Sequence, residues 1–194
     1  MELELEYLVQ RCQAGDDLAW EALVRSQESR VLGLCCHYVR DREDARDLAQ
    51  EVFVRIYHRI GGLEQPERFV SWMLKIARNA AIDHTRRRKA RPPAQDIPAD
   101  EMYSLAADGP DPSEMAASAS AKRLVHRALD GVGELHREIL LLKDIQGLSV
   151  EEIASMLSLP TGTVKSRSSR ARLELARVVA ELEEGELEFG GGLA

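Results

Sequence analysis

The sequence has few aromatic residues, few cysteines and no excess of positive charge. Aromatic residues make up only 5% of the 194 residues, which disfavours a β-sandwich core and leaves an aliphatic mix that favours helices. The three cysteines are too few, and odd in number, for a disulfide framework. No apolar run approaches the ~20 residues of a membrane span. Because residues 1–4 are acidic and do not resemble a signal peptide, we expect a reduced, cytoplasmic protein without membrane insertion.

The net charge of −7 argues against a nucleic-acid-binding protein when it is taken alone. The charges are segregated along the chain, however. Residues 69–91 carry seven Lys or Arg and one acid, and residues 161–177 carry five and one. Residues 92–121 carry six acids and no Lys or Arg. Two basic segments therefore flank an acidic one, and the charge map says more than the sum.

The acidic segment 91–121 has the composition of a linker. It holds five of the seven prolines, which remove backbone donors and disfavour helix, and its charge opposes burial. We therefore predict an all-α protein of two small helical domains, residues 1–90 and 122–182, joined by an irregular acidic linker. Residues 183–194 form an acidic, Gly-ended tail.

The first domain has apolar stripes with the helical period. One stripe comprises Leu48, Ala49, Val52, Phe53, Ile56, Tyr57 and Ile60, and another comprises Phe69, Met73, Ile76, Ala77 and Ala80. No window alternates apolar and polar residues at period two, which would indicate a strand. In the second domain, Ile139, Leu140, Leu142 and Ile145 predict an apolar helix that ends at Gly147.

Residues 149–172 have the pattern of a helix-turn-helix. Ser149 and Glu152 form a capping box at the start of a short helix, and Ser158-Leu159-Pro160 breaks that helix before a second one begins. Polar and basic residues cluster at the start of the second helix: Thr161, Thr163, Lys165, Ser166, Arg167 and Arg170. Hydroxyls and free amides bind phosphate, and Arg and Lys reach guanine edges. The alternative is an ordinary helical hairpin with a solvated basic surface, but pattern and charge together favour DNA binding.

A second set of polar residues lies on the predicted helix over residues 69–89. Trp72, Lys75, Asn79 and Arg86 fall within an arc of ~60° beside the apolar stripe. Trp stacks on unpaired bases, Asn bonds base edges and cations hold phosphates. The cationic run continues through Arg87, Arg88 and Lys89. A half-buried core Trp with a solvated basic end explains the same residues, and the two interpretations are about equally good on this helix alone.

Other reactive side chains support neither a metal site nor catalysis. Cys35, Cys36 and His37 lack the further ligands of a tetrahedral set, so we expect buried thiols. Asp83 and His84 suggest a general base, but no nucleophile accompanies them. A small helical enzyme is thus an unsupported alternative, and we expect a protein that is not an enzyme and needs no cofactor or metal.

Four segments, taken together and in order, resemble the extracytoplasmic-function (ECF) sigma factors of the sigma-70 family. They are residues 8–20, 44–55, 69–83 and 147–167, and the similarity spans roughly residues 5 to 180. Trp20 stands where the family more usually has Phe. Ser168 replaces a bulky apolar residue, so we expect the recognition helix to pack less tightly than is usual.

The resemblance implies partners and a division of labour. It implies that core RNA polymerase binds the polar residues of one helix, namely Asp47, Gln50, Glu51 and Arg55. It also implies that the melted −10 element of the promoter binds Trp72, Lys75, Asn79, Arg86, Arg87 and Arg88, that the helix-turn-helix reads the −35 element, and that the linker follows the RNA path. An anti-sigma factor is a further implied partner, which the sequence does not identify. The rival interpretation is a helix-turn-helix regulator with an N-terminal sensing domain.

Overall fold

The computed structural model describes residues 2–39, 41–89, 124–125 and 127–190. Within these ranges the chain forms helices and turns and no β-strand, which confirms the all-α prediction. The chain divides into two compact units, with the boundary after residue 102. The predicted linker, residues 91–121, lies outside the described residues.

In the first unit, the described residues 2–39 and 41–89 form four α-helices. They are α1 (Glu2–Gln13), α2 (Asp17–Tyr38), α3 (Arg42–Arg59) and α4 (Phe69–Lys89). Two short 3₁₀ turns, Ile60–Gly62 and Pro66–Arg68, connect α3 to α4. Helix α2 packs against α1, α3 and α4, so the unit is a bundle built around α2.

Aspartate side chains cap the N-termini of two helices of this bundle, α2 and α3. The Asp16 carboxylate accepts hydrogen bonds from the backbone N–H groups of Leu18 and Ala19, at 3.0 and 3.1 Å. Asp41 caps α3 in the same way. Each cap satisfies amides that have no partner within the helix, which typically stabilises a helix by ~1 kcal/mol. The chain turns before Asp16 at Gly15, whose φ of +83° suits glycine.

The buried face of α3 is narrower than its sequence pattern predicts. Leu48, Val52 and Ile56 are at most 2% exposed, as expected for the core. Phe53 is only half-buried and Tyr57 is 50% exposed. Because neighbouring helices cover only part of a helix circumference, the two aromatic residues lie at the edge of the packed face, not in the core.

The Gln13 side chain ties α1 to the turn after α3. Its Nε2 donates to the backbone oxygens of Ile60 and Leu63, at 2.9 and 2.7 Å. The Ile60 oxygen also accepts from the Leu63 N–H at 3.1 Å, so the amide adds a long-range contact to a turn that is already hydrogen-bonded. The contact fixes the turn from which α4 departs.

The second unit contains α5 (Glu134–Leu140), α6 (Val150–Leu157) and α7 (Thr161–Gly190). Helix α5 continues directly into a π-helical turn over Leu141–Ile145, where the N–H of Gln146 donates to Leu141 O at 2.9 Å. Leu140 packs with Ala171 and Val178 of α7 in a buried cluster. Ile145, predicted as part of an apolar helix, is instead 52% exposed, because the wider π turn changes which residues face the core.

Candidate nucleic-acid interface

The predicted arc on α4 combines a supported aromatic ring with exposed polar groups. Trp72 is half-buried, and its ring centroid lies 6.1 Å from that of the buried Phe69. Lys75, Asn79 and Arg86 are exposed. The two interpretations of Trp72 are therefore compatible: part of the indole packs on the core and part faces solvent beside an amide and two cations.

The cationic run that follows does not continue along this arc. The Arg88 guanidinium donates to the Asp44 carboxylate of α3 at 2.7 Å, and Arg87 Nε donates to Asp83 O at 3.3 Å. At 100° per residue, Arg88 lies about 160° around the helix from Trp72. Arg86 shares the arc, whereas Arg88 is directed towards α3.

Three of the four predicted polar residues of α3 form a ridge along the helix surface. Asp47 and Glu51 are exposed, and Arg55 pairs with Glu51 at 2.5 Å. These three residues recur every four positions, so they follow one row along the helix. Gln50 is also exposed, but it lies on the side of α3 that faces α2.

An apolar groove between α2 and α3 lies beside this ridge, and sequence reasoning missed it. Its volume is about 730 Å³. Its lining includes Trp20, Val24, Leu32, Gln50, Phe53, Val54 and Tyr57. Val54 is 56% exposed, and the Trp20 and Tyr57 rings pack edge to face at 5.0 Å. An apolar surface of this kind next to a charged ridge is typical of a protein-binding site.

The second unit contains the helix-turn-helix that the sequence predicts. The capping box at α6 is confirmed: the Ser149 N–H donates to the Glu152 carboxylate at 2.9 Å, and the Glu152 N–H donates to Ser149 Oγ at 3.2 Å. The helix ends at Leu157, and the following residue, Ser158, adopts the left-handed conformation with φ of +55°. Helix α7 begins at Thr161, where Pro160 O accepts from the N–H groups of Thr163 and Val164.

The recognition helix α7 presents most of its predicted DNA-contacting residues to solvent. Thr161, Lys165, Ser166 and Arg170 are exposed, whereas Thr163 and Arg167 are half-buried. Val164 is fully buried against the rest of the unit. The Ser166 hydroxyl donates to Thr163 O at 3.0 Å, so its hydrogen is engaged within the helix and its oxygen remains an acceptor.

Ser168 also lies on the buried side of α7. It is 2% exposed, and its Oγ has no hydrogen-bond partner. A buried hydroxyl without a partner costs free energy and fills less volume than an apolar side chain. The weaker packing of the recognition helix that the sequence predicts at this position stays a prediction.

Ionic contacts between α7 and the preceding segment were not predicted. Arg172 donates to both carboxylate oxygens of Asp144 in the π turn. Glu174 accepts from the Gly133 N–H at 2.9 Å and from His136 Nδ1. These partners are 28, 41 and 38 residues apart in sequence, and no local signal indicates such pairs.

The thiols are unsuited to ionic chemistry. Cys35 and Cys36 are buried, and burial raises the pKa of the Cys35 thiol to about 12. Among the described residues, no three His, Cys, Asp or Glu side chains are grouped closely enough to hold a metal ion. In the same part of the chain, no helix has the length and apolarity of a membrane span.

Comparison with known proteins identifies both units. Residues 23–91 match the family model for sigma-70 region 2, and residues 120–175 match that for sigma-70 region 4. The RNA polymerase sigma-H factor of Pseudomonas aeruginosa is 32% identical over 182 residues, covering 91% of this chain and 94% of the relative. The ECF RNA polymerase sigma-E factor of Haemophilus influenzae is 34% identical over 170 residues, covering 85% and 89%.

A solved structure shares the fold. It is the sigma factor RpoE of Bartonella quintana, in complex with the anti-sigma factor NepR. The TM-score is 0.61 at 20% identity, over 82% of this chain and 96% of the other.

The helix-turn-helix of the second unit, with its match to sigma-70 region 4, is typical of a DNA-binding transcription protein. The chain belongs to the sigma-70 family, and it is an RNA polymerase sigma factor of the extracytoplasmic-function type.

Proposed function

We propose that the two units divide promoter opening and promoter positioning between them. Residues 1–90 bind core RNA polymerase and hold the melted −10 strand. Residues 122–182 read the −35 element as duplex. The observation that carries this proposal is the α4 face, where the exposed Lys75 and Asn79 accompany a Trp72 ring supported by Phe69.

The α4 arc suits a single strand better than a duplex. Flipping one base out of the stack costs a few kcal/mol, and stacking of a base on an aromatic ring returns about 1–3 kcal/mol. Lys75 and Arg86 add phosphate contacts on the same arc. Arg87 and Arg88 belong to the same proposed site, although Arg88 must leave Asp44 before it can reach a phosphate.

The α3 ridge and the groove beside it form the proposed polymerase contact. Asp47 and Glu51 supply exposed charge, Arg55 pairs with Glu51, and Gln50 joins the ridge to the groove. Charged residues around an apolar patch provide specificity and buried area together.

The chain is itself not an enzyme in this proposal; it acts in the cytoplasm by directing the polymerase. An anti-sigma factor is the proposed regulator, since the RpoE neighbour was solved in complex with one.

Transcription reconstituted from the purified chain and core RNA polymerase tests the proposal. We expect transcripts with defined start sites, and alignment of the upstream DNA should show two conserved elements. Core polymerase alone is the control. A chain that binds duplex DNA specifically but neither co-purifies with core polymerase nor directs initiation would support the rival regulator instead.

A further inference from the structure

Two polar bridges hold α7 from opposite sides of its apolar stripe. On one side Arg172 donates to Asp144 through two nitrogens. On the other side Glu174 accepts from Gly133 N–H and from His136. Both bridges end in the segment formed by α5 and the π turn, one at each end of it.

The bridges are placed almost symmetrically about the packed face. Arg172 and Glu174 are about 200° apart around the helix axis, and Ala171 and Leu175 lie between them on the buried side. Along the axis the two residues are only about 3 Å apart, whereas His136 and Asp144 are roughly 10 Å apart along their own segment. That segment therefore crosses α7, with Leu140 in the buried cluster between the two bridges.

The buried stripe of α7 carries small residues at Ser168 and Ala171. Small side chains interlock less with a facing helix than large ones do, so packing at these two positions restrains rotation of α7 less. A rotation of about 10° would move a guanidinium held roughly 8 Å from the helix axis by more than 1 Å. Base-edge hydrogen bonds tolerate only a few tenths of an ångström.

We propose that Asp144 and Glu174 are positioning residues that fix the rotation of the recognition helix about its own axis, and thereby the base discrimination of Arg167 and Lys165. The inference rests on the proposed reading of the −35 element by α7. Neither Asp144 nor Glu174 contacts DNA; each acts through α7.

The chain offers a matched comparison for these bridges. Arg177 and Glu181 also form an ion pair on α7, at 2.6 Å, but both belong to the same helix and their side chains are 63% and 57% exposed. Removing that pair changes charge without releasing α7 from a neighbouring element. The side chains of His136 and Glu174 are 29% and 26% exposed, so their bridge is better shielded from solvent than the control pair. In the other bridge Asp144 is 33% exposed and Arg172 is 56% exposed, so that bridge differs from the control mainly in joining two elements.

The experiment uses the full chain bound to core RNA polymerase and a library of promoter duplexes with a randomised −35 segment. Enrichment of each base at each position is measured by sequencing the bound fraction. We expect Asp144→Ala and Glu174→Ala each to reduce the ratio between preferred and disfavoured bases by about fivefold. Arg177→Ala should leave the ratio unchanged. The reversed pair, Asp144→Arg with Arg172→Asp, should restore most of the loss.

Each other outcome identifies what is wrong. A parent protein without base preference at −35 overturns both the proposed reading and the positioning role. If the parent protein shows a base preference at −35 and the Asp144→Ala and Glu174→Ala variants show the same preference, the positioning role alone is overturned. A third outcome is that Asp144→Ala binds all sequences more tightly and that binding by Arg172→Ala depends less on salt. Arg172 would then be a phosphate contact, and the proposal would also be overturned. Melting curves of each variant exclude unfolding as the cause of a lost base preference. If a single variant is unfolded, the base preference of the reversed pair tests the positioning role in its place.

Discussion

Ser168 lies inside the recognition helix with a hydroxyl that makes no hydrogen bond. Leaving a buried polar group without a partner costs about 1–3 kcal/mol. The neighbouring Ser169 is exposed, and its Oγ donates to Lys165 O at 3.3 Å. Two adjacent serines on one helix therefore differ in burial and bonding while sharing the same helix propensity.

We predict that Ser168→Ala raises the free energy of unfolding of the second unit by about 1 kcal/mol more than Ser169→Ala does. The gain in helix propensity is common to both substitutions and cancels in the difference. Urea unfolding followed through the NMR signals of α7 measures it. Equal effects of the two substitutions would mean that the Ser168 hydroxyl is satisfied in solution.

Local sequence signals predicted individual residues well where the interaction is itself local. The capping box depends on residues three apart, and the sequence identified it. The Arg88–Asp44 bridge joins residues 44 apart, so it depends on how α3 and α4 pack. Sequence reasoning placed Arg88 in one cationic run with Arg86, although the helix period alone separates the two.

At the scale of the elements, the Glu174 carboxylate joins α7 to α5, and its pKa is shifted. Hydrogen bonds from His136 and from the Gly133 N–H hold the pKa of Glu174 below its ordinary value of 4.5. Because the pKa is lower in the folded chain, the hydrogen bonds of the Glu174 carboxylate stabilise the fold fully above pH 4.5. This stabilisation is lost as the pH falls through the folded pKa.

We therefore predict that the parent protein loses more stability on acidification below about pH 4.5 than Glu174→Gln does. At neutral pH the parent should be more stable than Glu174→Gln. NMR-detected urea unfolding of the second unit, at several pH values, gives the difference. Parallel pH profiles for parent and variant would show that Glu174 titrates normally in the folded chain.

On α3, the polar ridge can be tested apart from the fold. We predict that Asp47→Ala with Glu51→Ala weakens binding to core RNA polymerase at least fivefold, the order of a loss of about 1 kcal/mol. Both side chains are exposed, so the free energy of unfolding should change by less than about 1 kcal/mol. Affinity measured by fluorescence anisotropy, with Glu21→Ala on the exposed surface of α2 as the control, decides the assignment. A variant that binds like the parent removes the ridge from the interface.

The groove beside that ridge shows why an interface between elements is harder to predict than an element. Trp20 and Tyr57 are 37 positions apart in the sequence, and their contact exists only because α2 and α3 pack together. The apolar period predicted α3 itself correctly. It also placed Phe53 and Tyr57 on the same apolar stripe as the core residues, because periodicity does not show how much of a helix circumference its neighbours cover.

For the whole molecule, the net charge conceals two separate basic surfaces. The residues of α4 and α7 that we propose to contact DNA belong to different compact units. A defect in one unit should therefore leave the function of the other intact, and promoter melting should be separable from −35 binding.

We predict that Asn79→Ala costs roughly 1–3 kcal/mol of open-complex stability, the order of one base contact. Permanganate footprinting with core polymerase should show fewer unpaired thymines at −10, while protection at −35 is unchanged. A pre-melted bubble should recover part of the loss, because the cost of unpairing is then already met. Normal melting by the variant would mean that α4 does not hold the strand through Asn79.

The π turn at Leu141–Ile145 also sets the chain's tolerance to changes in length. A π turn holds one residue more than the same stretch of regular α-helix. Deleting one of these residues other than Asp144 should therefore let α5 continue as a regular helix, with the following residues leaving it in nearly the same direction. Deleting one residue from a regular stretch of helix turns everything that follows by about 100° instead. The π turn is thus the place where this segment should tolerate a single-codon deletion.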